Sequence, residues 1–180
     1  MGDMTAHFSR REFTCPCGCN TNNVSSELVS KLEQIYEYLQ KTPDSVSAII
    51  VNSGCRCSRH SYRVGGYGND AHTRGIAADI HALKGDGSTP WGALEVAAVA
   101  EKLGFSGIGI ITNNDLHVDI RNKDNYVNSH WFGDERTGND NIKSFLDYLP
   151  KQKTEQKQST HIKLMIDGIT VIDTNVPLKK

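Results

Sequence analysis

The stretch AHTRGIAADIHA, Ala71 to Ala82, sets His72 seven positions before Asp79, with an apolar run between them that reads as a buried strand. A carboxylate in such a run needs a partner cation or a metal, because burying an unpaired charge is costly. A second segment, NDLHVDIR, places His117 on a strand-like run whose same-face neighbours are Asp115 and Asp119. Two imidazoles and one carboxylate make a three-ligand set suited to Zn2+, with a fourth position left to water. A dication held there neutralises Asp79 and lowers the pKa of that water toward neutrality. On spacing alone, the same residues also read as surface or hydrogen-bonded histidines and an aspartate that caps a helix or turn.

Five cysteines fall in two tight groups, Cys15, Cys17 and Cys19 in TCPCGCN and Cys55 and Cys57 in GCRCS. The odd count leaves a thiol over from any full set of intrachain disulfides. A structural metal knot is one reading, but zinc knuckles usually space their cysteines by two residues and Cys-x-Cys fits that pattern poorly. The preferred reading is a set of thiols, or a disulfide, that clips the N-terminal loop to the 55–57 loop.

These residues must be positioned by short elements of both kinds. Leu28, Leu32, Ile35 and Leu39 at helical spacing, with Ser25 or Ser26 as N-cap, predict an amphipathic helix over 26–41. TPWGALEVAAVAEKLG predicts a second helix, with Thr89 as cap, Pro90 at the first helical position and Gly104 just past the end. A short third helix is suggested by Ile142, Phe145, Leu146 and Leu149, stopped by Pro150. Strand-like runs cover 47–53, 75–82, 107–112 and 116–121, the last two joined by a turn at Asn113–Asn114. An α+β domain over 1–150 follows. Residues 151–161 read as a polar linker, and 162–180 as a hairpin appendage turning at Asp167–Gly168. A lone hairpin is marginal in water, so it must pack on the main domain, another copy or a further domain.

Composition narrows the partners. With 180 residues and 37% hydrophobic content there is enough material for one ordinary core. The 20 basic and 21 acidic residues give a net charge of −1, which argues against nucleic acid or an anionic membrane as the target. The N-terminus lacks the apolar core of a secretory signal, and no run approaches membrane-spanning length. A chain without signal or membrane insertion is expected to be cytoplasmic until released.

Several motifs in order resemble the zinc D,D-carboxypeptidases and L-alanyl-D-glutamate endopeptidases of bacterial cell walls and phage lysins. They are HFSRREFTCPCGC (7–19), VNSGCRCSRHSYRVGG (51–66), NDAHTRGIAADI (69–80), GIGII (107–111) and LHVDIR (116–121). The resemblance implies a hedgehog-like α+β fold, a small, mostly antiparallel sheet packed with helices. It makes His72, Asp79 and His117 the Zn2+ ligands and Arg56 of SGxR the residue that anchors substrate and stabilises an oxyanion. Relatives usually have serine two residues before the first histidine ligand; here Asp70 stands there as the candidate substrate-binding residue. Relatives also carry an acid or histidine shortly before the last ligand as catalytic base. Asn114 is third upstream here and Asp115 second, which makes Asp115 the candidate base. Asp119 is the alternative base, or a carboxylate that orients a ligand imidazole. His60, His81, His130 and His161 read as structural or exposed.

The reaction implied is zinc-assisted hydrolysis of peptide bonds in peptidoglycan stem peptides, at the bacterial wall, with a phage or prophage lysin as one setting. Two rivals are a zinc-containing wall-binding module without turnover, which the Asp70 change would suit, and a thiol-based redox or metal-storage protein.

Overall fold

The structure, a computed structural model, describes residues 2–121 and 130–148. The expected linker at 151–161 and hairpin at 162–180 lie outside the described residues. A 3₁₀ turn, Arg10–Phe13, precedes helix α1 (Ser26–Gln40), strand β1 (Ala48–Ser53), the short helix α2 (Ser58–Arg63), β2 (Ala77–Leu83), α3 (Ala93–Lys102), β3 (Gly107–Ile110), β4 (Asp115–Asp119) and β5 (Trp131–Asp134). The sheet runs in the order β1-β2-β4-β3-β5. β1/β2, β2/β4 and β3/β4 are antiparallel, and β5 joins β3 in parallel. This is the mostly antiparallel α+β architecture that the motifs implied.

Alternation along the strands divides the sheet into two faces. Ala78, Ile80, Ala82, Leu116 and Val118 point into a core shared with α1 and α3, and all are buried. Leu28, Leu32, Ile35 and Leu39 of α1 are buried, and so are Val96, Ala97 and Ala100 of α3. The alanines of α3 let it lie close to β3 and β4. The opposite face carries Asp79, His81, Asp115, His117 and Asp119, the residues with chemistry.

One local expectation needs correction, and two further segments are defined by the structure. α3 begins at Ala93 with Gly92 as N-cap, not at Thr89 and Pro90. Asp86 accepts hydrogen bonds from the Ser88 and Thr89 backbone N–H groups, which commits Thr89 to a turn. Pro90 then bridges Leu83, while Trp91 donates its backbone N–H to Ala82 and its indole N–H to the Ser45 carbonyl, each at 2.9 Å. SRHSYR, for which the sequence pattern predicts no element, forms α2 with Cys57 as its N-cap. At the C-terminal end residues 145–148 are helical, with Phe145 buried but Leu146 half-exposed. Glu101 of α3 accepts the Phe145 and Leu146 backbone N–H groups at 2.7 and 3.0 Å, fixing that turn against the domain.

Candidate metal centre

The antiparallel register of β2 on β4 sets Asp79 directly across from His117 on the open face. His72 reaches the same point from the turn that precedes β2. Its carbonyl accepts the backbone N–H groups of Arg56 and Gly75. Gly75 ends this turn at φ +72°, and a Cβ there would meet the Asn23 carbonyl oxygen at 2.1 Å, so the turn into β2 needs glycine.

His72 Nε2 lies 3.3 Å from His117 Nδ1 and 3.2 Å from Asp79 Oδ1, and His117 Nδ1 lies 2.9 Å from that same oxygen. Ligand atoms about 2.0–2.1 Å from a tetrahedral zinc sit about 3.3 Å from one another. The triangle therefore matches the donor set of a zinc centre in both chemistry and size. All three side chains are largely buried, with 5%, 14% and 16% exposure for His72, Asp79 and His117.

The second ring nitrogens are also engaged, as metal-binding imidazoles require. His72 Nδ1 donates to the Gly54 carbonyl at 2.7 Å, which leaves Nε2 facing the trio. His117 Nε2 meets Asp119 Oδ2 at 3.1 Å. Asp119 is fully buried and is gripped by Arg121 through Nε at 3.0 Å and Nη2 at 2.6 Å. Burial pushes the Asp119 carboxyl up, but the hydrogen bonds from His117 and Arg121 outweigh it and hold the group well below the usual carboxylate range. Burial likewise raises Asp79, and His117 and His72 more than reverse it. For His117 burial favours the neutral ring, yet Asp119 and Asp79 together raise it to about 9.

Arg56 comes to the rim of the trio. Its Nη2 donates to Asp79 Oδ2 at 2.5 Å and its Nε to Ser53 Oγ at 2.9 Å. Asp115 sits two residues from His117 on the same face, near the open end of β4. Its Oδ1 accepts from Asn52 Nδ2 at 2.9 Å and meets His81 Nδ1 at 3.2 Å. Its Oδ2 accepts from Thr112 Oγ1 at 2.5 Å, and the side chain is 29% exposed. Asp70 is turned to local work. It accepts the buried Ser61 hydroxyl and the Thr73 backbone N–H. Burial raises its carboxyl, and those two bonds bring it below its ordinary value.

Sequence reading missed several residues that shape the site. Trp131 of β5 packs edge-on to His117, and the Arg121 guanidinium lies 5.3 Å from its ring centre. A Cβ on Gly109 would meet that ring at 2.7 Å, and one on Gly107 would meet the Asp119 carboxylate at 2.1 Å. GIGI leaves out side chains where Trp131 and Asp119 lie over the strand. A glycine inside an apolar strand signals such an approach, so this much was visible in the residues. Of the histidines read as structural, His81 joins Asp115, while His130 packs on Phe132 with ring centres 4.1 Å apart. His161 lies outside the described residues.

Residues 6–119 match the family model described as Peptidase M15. No curated protein matches the chain.

Proposed function

The chain belongs to the peptidase M15 family, and from that premise we propose that it hydrolyses peptide bonds of peptidoglycan stem peptides with Zn2+ held by His72, Asp79 and His117. The observation that carries this reading is the closed triangle of two imidazole nitrogens and one carboxylate oxygen, with edges of 2.9 to 3.3 Å. When bound, the metal supplies Lewis acidity at the scissile carbonyl and an activated water.

The rest is work for the chain's own side chains. Asp115 is the general base: it is the carboxylate at the open side of His117, partly exposed, and it passes the proton on to the leaving amine. Asp119 is spent on orienting His117 and pairing with Arg121, so it has no role in proton transfer. Arg56 offers a fixed positive charge to the carbonyl oxygen or to a substrate carboxylate, steered by its bonds to Ser53 and Asp79. Among the described residues no helix is long and apolar enough to cross a membrane; action at the bacterial wall follows from the substrate assigned.

Synthetic stem peptides incubated with the zinc-loaded protein, and products identified by mass, test the substrate. Loss of a terminal D-alanine marks a carboxypeptidase, and a cut between L-alanine and D-glutamate marks an endopeptidase. Intact peptides of every type would leave a wall-binding module as the better reading.

One substitution probes the support of the site without touching a ligand. Gly107→Ala forces the Asp119 carboxylate to move, because its Cβ would overlap a group held by His117 and Arg121. Zinc affinity is expected to weaken by about 10–100-fold, the usual scale for disturbing a ligand's outer partner. Competition with a chromogenic chelator measures it.

A further inference from the structure

The two cysteine groups, 36 or more residues apart in sequence, meet in space. Cys17 Sγ lies 3.4 Å from Cys15 Sγ and 3.6 Å from Cys57 Sγ. The sulfurs of Cys15, Cys17, Cys19 and Cys57 all lie within 4.8 Å of one another. In a tetrahedral site with Zn–S bonds of about 2.3 Å, sulfurs stand about 3.8 Å apart. The four thiols are thus gathered at close to coordination spacing before any metal is considered.

The backbone is shaped for that gathering. Gly18 at φ +81° and Asn20 at φ 58° reverse the chain, and the Cys15 N–H closes the loop on the Thr21 carbonyl at 2.9 Å. Successive odd positions 15, 17 and 19 then converge instead of alternating. Cys57 enters from the start of α2, where its sulfur accepts the His60 backbone N–H at 3.4 Å. Cys55 is different in kind: it is fully buried in the apolar core, and burial raises its thiol. The odd thiol of the five is accounted for as a core residue.

We propose that Cys15, Cys17, Cys19 and Cys57 form a second, structural zinc site, separate from the histidine–aspartate trio. The thiols give up their protons to solvent as the metal binds, and no electron is transferred. The Cys19 thiol also donates to the Thr21 hydroxyl at 3.1 Å, which holds its sulfur at the cluster. A dication neutralises the charge of thiolates gathered this closely. Three-quarters of the donors come from the N-terminal loop and one from the residue after Arg56. The site therefore clamps the loop whose Gly54 carbonyl orients His72 and whose Cys55 N–H bonds the Phe13 carbonyl at 2.8 Å.

The test uses the full chain carrying His72→Ala, so that the trio no longer holds metal tightly and the outcome is independent of peptidase activity. Reduced protein is loaded with zinc, desalted and analysed for metal, and a parallel sample is loaded with cobalt(II) for absorption. One zinc per chain and an intense near-ultraviolet thiolate-to-cobalt charge-transfer band are expected. A chelator should expose four thiols to a thiol reagent that were protected before. Adding Cys17→Ser should remove the band. Should that variant fail to fold, the His72→Ala cobalt spectrum decides alone. Absence of zinc and of the band in folded, reduced His72→Ala protein would overturn the proposal, as would full thiol reactivity in its metal-loaded form. Lack of peptide cleavage by a wild-type protein that shows the band would count against the peptidase reading only.

Discussion

Replacing His117 with alanine is expected to remove one zinc per chain and to lower stem-peptide hydrolysis by more than about 100-fold, beyond the effect of disturbing an outer partner. His117 makes the shortest edge of the triangle, 2.9 Å to Asp79, and it is also the group that Asp119 and Arg121 are arranged to hold. Its loss leaves Asp79 with His72 and Arg56 alone, a two-ligand remnant that binds zinc poorly. His72→Ala should behave alike, because its Nε2 has the same distance relations to the other two. Metal analysis with a thermal unfolding control separates ligand loss from misfolding. Full zinc retention by both folded variants would exclude the trio as the metal site.

Asp115→Asn and Asp119→Asn should differ in kind, not only in degree. Asparagine at 115 keeps the bonds to Asn52 and Thr112 in reach and leaves the ligand triangle intact, so zinc stays and kcat falls by about 100-fold or more. Asparagine at 119 removes a buried charge between His117 and Arg121. That breaks the ion pair between Asp119 and the Arg121 guanidinium, a loss of about 3–5 kcal/mol for a buried pair. Zinc affinity and stability should both drop. Zinc titration alongside kcat gives the split. Retained zinc with abolished turnover in Asp119→Asn, and near-normal turnover in Asp115→Asn, would exchange the two roles.

The parts of the site readable in advance were those carried by local pattern. Strand alternation alone set Asp115, His117 and Asp119 on one face, and an aspartate inside GIAADI demanded a counter-ion. Register is not local: that Asp79 faces His117 directly depends on how β2 and β4 align, which neither strand specifies by itself. Trp131 was invisible for the same reason, since β5 is a four-residue strand paired in parallel to β3. The start of α3 misled because Thr89 and Pro90 are good opening residues for a helix, while the competing Asp86 turn and the Trp91 anchor are set by tertiary contacts. Cys-x-Cys spacing undersold the thiols, because the positive φ at Gly18 and Asn20 folds residues 15, 17 and 19 onto one point.

The most direct measurement strips the wild-type protein and Asp79→Asn of metal with a chelator, returns zinc to each, and follows the appearance of new amino groups from purified peptidoglycan. Zinc should restore release to the wild type, and Asp79→Asn should stay inactive at the same zinc concentration because its triangle lacks the anionic corner. A folded, zinc-loaded wild type that releases no amino groups from any wall preparation, or whose release is the same with and without zinc, would contradict a zinc peptidase built on His72, Asp79 and His117.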